Sequence, residues 1–516
     1  MSQLFAKKSL KILLADMESD NRLKRALGPV TLTSLGIGAV IGAGIFAATG
    51  AAAHNTAGPA LMVSYMVAGL ACIFAALCYA EFASMAPVAG SAYTYAYTTM
   101  GELFAWIIGW DLVLEYAVGA STVANAWSGY FQKVLKGIGI HIPEALGKAP
   151  LDWNHDAKWG DPANWITFTG SYVNLPAVII VAIVTAILVK GISESAGFNA
   201  LMVFIKVAAV LFVVLVGAFY INPANWTQVT APDGRYGFAP YGWGGFSFFG
   251  IKQLTIGQVV EGRPVGMLAG AALIFFAYIG FDSVSTHAEE AKNPKRDVPI
   301  GIVASLVICT ILYVAVVAVL TGMVPYYKID INAGVSSAFA ERGLKWAEFI
   351  VATAGVAGIT SVLLVMMLSG PRVFLAMARD GLVPKAFFAD VHPTFRTPWK
   401  STIAIGLFVA VLAGLLPINA LLELTNIGTL FAFVVVCAAV LVMRRINPDA
   451  HRPFRCPLVP VIPVLGIGLC LMLMMSLPVG NWMRLFGWMI IGLIIYFSYS
   501  RHHSVLGKEL REGKAA

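Results

Sequence analysis

Along most of the 516 residues polar positions are too sparse to alternate with apolar ones, and long uninterrupted apolar runs take their place. A helix crosses the hydrocarbon of a bilayer in about 20 mostly apolar residues. Twelve stretches meet or approach that length: 30–53, 59–84, 93–130, 174–190, 196–220, 266–288, 299–323, 347–371, 399–416, 419–443, 458–478 and 482–500. We number them runs 1 to 12. Run 3 is too long for one crossing, so its N-terminal part lies in the cytoplasm or the run tilts. Every run has helical length, and the alternating segments of about ten residues that build a membrane β-barrel are missing. The pattern predicts an all-α polytopic membrane protein.

Composition strengthens this picture. Hydrophobic residues make up 59% of the chain and charged ones 12%, against about 25% charged in a soluble domain. A soluble enzyme, a disordered chain and a coiled coil are thereby excluded. The net charge of +8 fits basic cytoplasmic loops on a lipid bilayer better than a nucleic-acid partner. With the N-terminus inside, 23 of the 35 Lys and Arg fall on the inner side and 11 on the outer, most of the latter in the long loops 131–173 and 221–265. Both termini are therefore expected in the cytoplasm of a plasma (inner) membrane protein. Run 1 is too long, and too far behind a charged tail, to be a signal peptide. In that tail Leu10, Leu13, Leu14 and Met17 have helical spacing beside Lys7, Lys8 and Lys11, which fits a short helix on the inner leaflet or a solvated basic tail. The six cysteines show no CxxC pair and read as small core residues.

Two runs carry interruptions. Run 1 holds four glycines in nine residues, Gly36 to Gly44, within Gly36-Ile37-Gly38-Ala39-Val40-Ile41-Gly42-Ala43-Gly44-Ile45-Phe46. Run 6 reads Phe275-Phe276-Ala277-Tyr278-Ile279-Gly280-Phe281-Asp282-Ser283. Each glycine costs a helix about 1 kcal/mol, and one such helix would mean only close packing. Two of them five runs apart fit two inverted five-helix repeats, each opening on a discontinuous helix at the bilayer midplane. Non-helical backbone survives at that depth where it lines a cavity. N–H groups near Gly42, Ala43 and Gly44 would hold a carboxylate, and carbonyls of Phe276, Ala277 and Ile279 an ammonium. Donors facing acceptors suit a zwitterion, an amino acid.

These motifs are also recognisable. Ile41-Gly42-Ala43-Gly44-Ile45-Phe46, Phe276-Ala277-Tyr278-Ile279-Gly280-Phe281-Asp282 and the stretch Ala288 to Pro299 resemble the amino acid–polyamine–organocation superfamily, above all its cationic amino acid transporter subgroup and bacterial members. Tyr79-Ala80-Glu81-Phe82, Gly109 to Tyr116, Ala378-Arg379-Asp380-Gly381 and Leu424 to Leu430 extend the likeness over about 25–500. The long outer loops depart most, being rich in Trp153, Trp159, Trp165 and Trp243. The resemblance implies a LeuT-type five-plus-five inverted repeat with two added C-terminal helices, twelve transmembrane helices in all. The corresponding divisions are an N-tail over 1–29, a first repeat over 30–220, an outer loop over 221–265, a second repeat over 266–443, the last two helices over 444–500 and a C-tail over 501–516. It implies that Ile41, Ala43 and Gly44 grip the substrate α-carboxylate and Phe276, Ala277 and Ile279 its amino group. Relatives often carry a hydroxyl where this chain has Ala43, leaving only backbone donors there.

Ionisable residues inside runs face a cavity or a partner. Lys206 sits among apolar residues in run 5 and is either a proton carrier or a permanently charged structural group. The resemblance places it where related carriers hold a sodium ion, bridging the first and eighth helices, with its ammonium near Gly42 and the Thr360 and Ser361 hydroxyls. It thus implies a proton as coupling ion, no sodium and no other cofactor. Glu115 of run 3 resembles the acidic position the subgroup shares and is expected either in the cavity, where it would titrate with the substrate or attract a cationic side chain, or paired with a lysine, while Asp111, one turn earlier, is expected near the cytoplasmic end and solvated. Asp282 either faces the pocket or caps the second half of run 6. Met366 by default fills core; the resemblance puts it against the side-chain pocket, which its bulk would shorten in favour of small neutral substrates. Partners on this reading are an amino acid, the bilayer and a possible small single-helix accessory membrane protein. Glu289 and Glu290 read as a solvated helix end. His54 and His287 lie near run ends, and no P-loop is present. An exchanger without net proton coupling is the alternative function; a channel would not need two half-helix sites, and no convergent nucleophile or His/Asp set suggests an enzyme.

Overall fold

The computed structural model describes residues 3–8, 27–85, 91–153, 166–191, 196–260, 262–286, 291–331, 333–395 and 397–512. Seven helical stretches are long and apolar enough to cross a membrane: Gly44–Met85, Glu102–Gly137, Leu201–Ala218, Pro294–Met323, Lys345–Arg379, Ile418–Ile446 and Val479–His503. Five shorter apolar helices, Pro29–Val40, Leu175–Lys190, Met267–Tyr278, Trp399–Leu415 and Val461–Met475, occupy the other runs. Proline sets many of the starts. It stands in the first turn of runs 1, 4 and 7 and at the cap of runs 9 to 12, where a missing N–H costs no helical bond. Among the described residues strand is confined to three two-stranded ribbons in loops, pairing Leu151–Trp153 with Ile166–Phe168, Phe246–Ser247 with Thr255–Ile256, and Gln258–Val260 with Arg263–Val265. The protein is mostly helical, as the hydropathy pattern predicts.

Run 3, too long for one crossing, is not one element. It divides into Ser91–Thr99 and Glu102–Gly137, with the chain turning at Met100 and Gly101. The N-terminal segment Gln3–Phe5 crosses at this point. The expected amphipathic helix over Leu10–Met17, His287 and the Glu289–Glu290 pair lie outside the described residues.

The helices sort into two groups. Runs 1, 2, 6 and 7 pack on one another, and runs 3, 4, 8 and 9 on one another; the pair of runs 3 and 8 is the most extensive. Small residues permit this, because lipid supplies no hydrophobic drive for helices to associate and close van der Waals approach must do it. Gly355 of run 8, for example, lies against the Tyr130 ring of run 3. Run 5 touches runs 1, 7 and 8, and run 10 touches runs 2, 3 and 11. All six cysteines are free and buried, as small core residues.

Gln3 near the N-terminus and Ser504 near the C-terminus meet on one buried acid. Glu102, fully buried, accepts from Gln3 Nε2 at 3.1 Å, Tyr97 OH at 3.1 Å and Tyr496 OH at 3.0 Å, and from the Ser504 hydroxyl. Beside it Asp380, at the end of run 8, accepts from Lys8 Nζ at 3.1 Å and Tyr93 OH at 2.6 Å. At the same end Glu81 of run 2 pairs with Arg444 at 2.7 Å and Arg452 at 3.3 Å, tying run 2 to the tail of run 10.

Candidate functional site

Run 1 is a true discontinuity. Its α-helix stops at Val40, Ile41 turns extended (φ −72°, ψ 108°), and the chain resumes helically at Ala43 and continues in wide π turns over Gly44–Ala48. The first turn of the second half leaves its N–H groups without partners inside the helix, and these belong to the stretch Ala43–Gly44. Run 6 breaks differently. Its α-helix Met267–Ile274 tightens into a 3-10 turn, Phe275–Tyr278; Ile279 is then extended (φ −61°, ψ 137°) and Gly280 takes φ +114°. Only glycine tolerates that angle readily, and a side chain at Gly280 would also strike the Ala39 carbonyl.

The two breaks touch. A β-carbon added to Gly44 would lie 2.2 Å from Ala277 Cα, so the backbones meet with nothing between them at that point. Ile41, Ala43, Gly44, Phe276, Ala277 and Ile279 are all buried. The predicted residues of the two runs are thus brought together.

The carbonyls of run 6 have partners the sequence did not reveal. Phe276 O accepts from Ile279 N at 3.2 Å. Ala277 O accepts at 3.0 Å from the hydroxyl of Tyr313 in run 7, which also lies 2.9 Å from Val40 O. Tyr313 therefore stitches the end of one half-helix to the other break. On run 1, Phe46 O accepts from Tyr130 OH of run 3 at 2.5 Å. Polar-tipped aromatics in apolar helices were the only available signal for either residue, and such tips need a bond when buried.

Lys206 is fully buried. Its ammonium donates to Gly38 O of run 1, and its aliphatic stem lies 3.2 Å from where a Gly358 β-carbon would stand on run 8. It thus lies between runs 1 and 8. The hydroxyls expected beside it are engaged elsewhere: Thr360 donates to Val356 O and accepts from Trp127 Nε1, and Ser361 donates to Gly358 O. The reason is local, since Ser and Thr in a helix bond back to the preceding turn.

Glu115 of run 3 is buried, with Thr429 of run 10 reaching its carboxyl; among the described residues no lysine forms an ion pair with it. Asp282 takes the Tyr116 hydroxyl at 2.7 Å, joining run 6 to run 3. The turn after the break is bonded through the Asp282 backbone carbonyl, which accepts from the Ser285 amide and hydroxyl. Met366 is buried, its sulfur 3.2 Å from where a Gly119 β-carbon would stand, one turn beyond Glu115. Asp111 corrects the sequence reading. It is fully buried instead of solvated, and neither carboxyl oxygen has a partner. His54 gains a partner that the sequence concealed, its Nδ1 lying 2.8 Å from Ile329 O.

A bundle of apolar helices with two broken members meeting at their breaks defines a multi-pass membrane protein. Comparison with known proteins gives the family. The amino acid permease family model matches residues 27–497, and the chain belongs to that family, within the amino acid–polyamine–organocation superfamily. It is 46% identical over 506 residues to a branched-chain amino acid permease of Bacillus subtilis, covering 98% of this chain and 99% of the relative. It is 43% identical over 508 residues to a methylthioribose transporter of the same organism, covering 98% and 100%. Human cationic amino acid transporter 4 is 37% identical over 431 residues, which is 84% of this chain and 61% of that protein. These relatives are transporters and permeases, and the chain is not an enzyme.

Proposed function

We propose that this permease imports L-amino acids across the plasma membrane by alternating access, with a proton as coupling ion and without sodium. The observation that carries the reading is the meeting of the two breaks at Gly44 and Ala277. The donors of Ala43 and Gly44 face the α-carboxylate, and the Ile279 end of run 6 takes the α-amino group. Twelve crossings with cytoplasmic termini, arranged as two inverted repeats plus two helices, account for runs 1 and 6 both being broken. The two packed groups of helices supply the bodies that would rock against each other.

Coupling is assigned to Lys206. Its bond to Gly38 O lies three residues before the run 1 break, so losing the ammonium proton would strip that bond of its charge and loosen run 1 from run 5. That is the place a coupling ion must act if substrate and ion are to bias the same rearrangement. Met366, buried beside Gly119, supports small neutral side chains such as alanine over arginine. Relatives named for branched-chain and for cationic amino acids show that one family framework accommodates different side chains.

Purified protein in liposomes tests this. Alanine uptake should follow an imposed pH gradient, acid outside, and Lys206→Met should abolish it. Counterflow without any response to the gradient would establish an exchanger instead, and full gradient-driven uptake by Lys206→Met would remove the lysine from coupling.

A further inference from the structure

The loop 221–265 carries chemistry that transport at the two breaks does not use. Between Phe246 and Ile256 it folds into a short ribbon that brings five large apolar side chains to the surface. Phe248, Phe249, Ile251, Leu254 and Ile256 are between 38% and 65% exposed. A loop bathed in water gains nothing by displaying them, and a clustered apolar patch of this kind marks an interaction surface.

Its position names the partner. The backbone at Gly250 lies against the turn that joins runs 11 and 12, where an added β-carbon would stand 2.0 Å from Val479 N. Phe249 N donates at 3.4 Å to the sulfur of Met475, the last residue of run 11. The Phe249 ring meets Trp482 of run 12 edge-on at 4.8 Å, and Trp482 in turn lies 5.9 Å from Phe486. Phe486 is exposed on an apolar helix of membrane-crossing length, where the surroundings are lipid. A line of aromatic rings therefore runs from the loop onto the lipid-facing side of run 12. Bulky apolar and aromatic side chains settle at the boundary between hydrocarbon and headgroups. Lys252, exposed among them, has the length to keep its ammonium at the phosphates.

We propose that the tip of this loop, residues 246–256, is seated in the interfacial layer of the bilayer beside runs 11 and 12, with phospholipid as its partner. The anchor has a mechanical consequence at the breaks. The same loop supplies carbonyls that cap run 6: Met267 N donates to Gly242 O and Leu268 N to Gly244 O, both at 3.0 Å. Gly245 N donates to Ile256 O at 3.0 Å. The start of the broken run 6 is thereby tied, through one ribbon, to the lipid surface.

The test places a fluorescent label on the full-length protein in phosphatidylcholine nanodiscs. The six native cysteines are buried, so labelling is directed by Phe248→Cys, by Leu254→Cys and, as a water-facing control, by Pro232→Cys at an exposed position of the polar turn Pro232-Asp233-Gly234 in the same loop. A nitroxide carried on the lipid near its headgroup should dim the labels at 248 and 254 several-fold more than the label at 232, and aqueous iodide should do the reverse. Iodide quenching at 248 and 254 equal to that at 232 puts the tip in water and overturns the proposal. Shielding from both quenchers would mean that protein covers the patch, a second copy or another chain, and overturns it too. If Phe248→Cys does not fold, the exposed position 254 decides alone.

Discussion

The breaks in run 1 and run 6 do comparable work with opposite construction. Run 1 breaks among small residues and restarts in wide turns. Run 6 tightens before it breaks, and two of its carbonyls are already bonded, Phe276 O to the Ile279 amide and Ala277 O to the Tyr313 hydroxyl. The difference teaches that two breaks of unlike shape can share one polar tie, the Tyr313 hydroxyl that meets Val40 O on one and Ala277 O on the other. It also separates shape from polarity. Gly44 sets how close the breaks come, and Tyr313 sets how tightly they are stitched.

The strongest way to break this comparison is at the point of contact. Gly44→Val would drive a side chain into the Ala277 backbone and should abolish uptake in liposomes; an unimpaired rate would mean the breaks need not touch. Gly280→Ala comes next. Its φ of +114° costs an alanine on the order of 1–3 kcal/mol, so the detergent-solubilised variant should melt lower than the parent. An unchanged Tm would show that run 6 can break without its left-handed residue. Tyr313→Phe removes one hydrogen bond, worth about 1 kcal/mol, and should raise KM for alanine roughly fivefold. A fall in KM would sharpen the comparison differently, by showing that the hydroxyl competes with the substrate's ammonium. The smallest effect is expected at Met366→Ser, which lengthens the pocket and should improve arginine binding; an unchanged arginine affinity would remove Met366 from the pocket wall.

The two breaks were legible because glycines clustered inside apolar runs have few other uses, and the all-helical architecture because charge is so thin between loops. Lys206 stood out for the same reason, as a lone cation in a run. Other features were hidden by their dependence on partners. Asp111 looked solvated because its position along run 3 is near an end, yet burial there depends on the face of run 10 that carries Gly428. The excess length of run 3 was legible but not the place of its division at Gly101, since apolar content continues across it and Phe5 of the N-terminal segment, which packs there, is far away in sequence. Thr360 and Ser361 were expected at the ammonium, but their own helix offers nearer acceptors.

The convergence of Gln3, Tyr97, Tyr496 and Ser504 on Glu102, with Lys8 clasping Asp380 alongside, has a practical corollary for anyone handling the molecule. A purification tag or fluorescent fusion at either extremity hangs from a knot shared by runs 3, 8 and 12, so it is not an inert passenger. Reporters intended to leave this knot untouched belong on the loop ribbons, and probes of the end of run 8 belong beside Lys8.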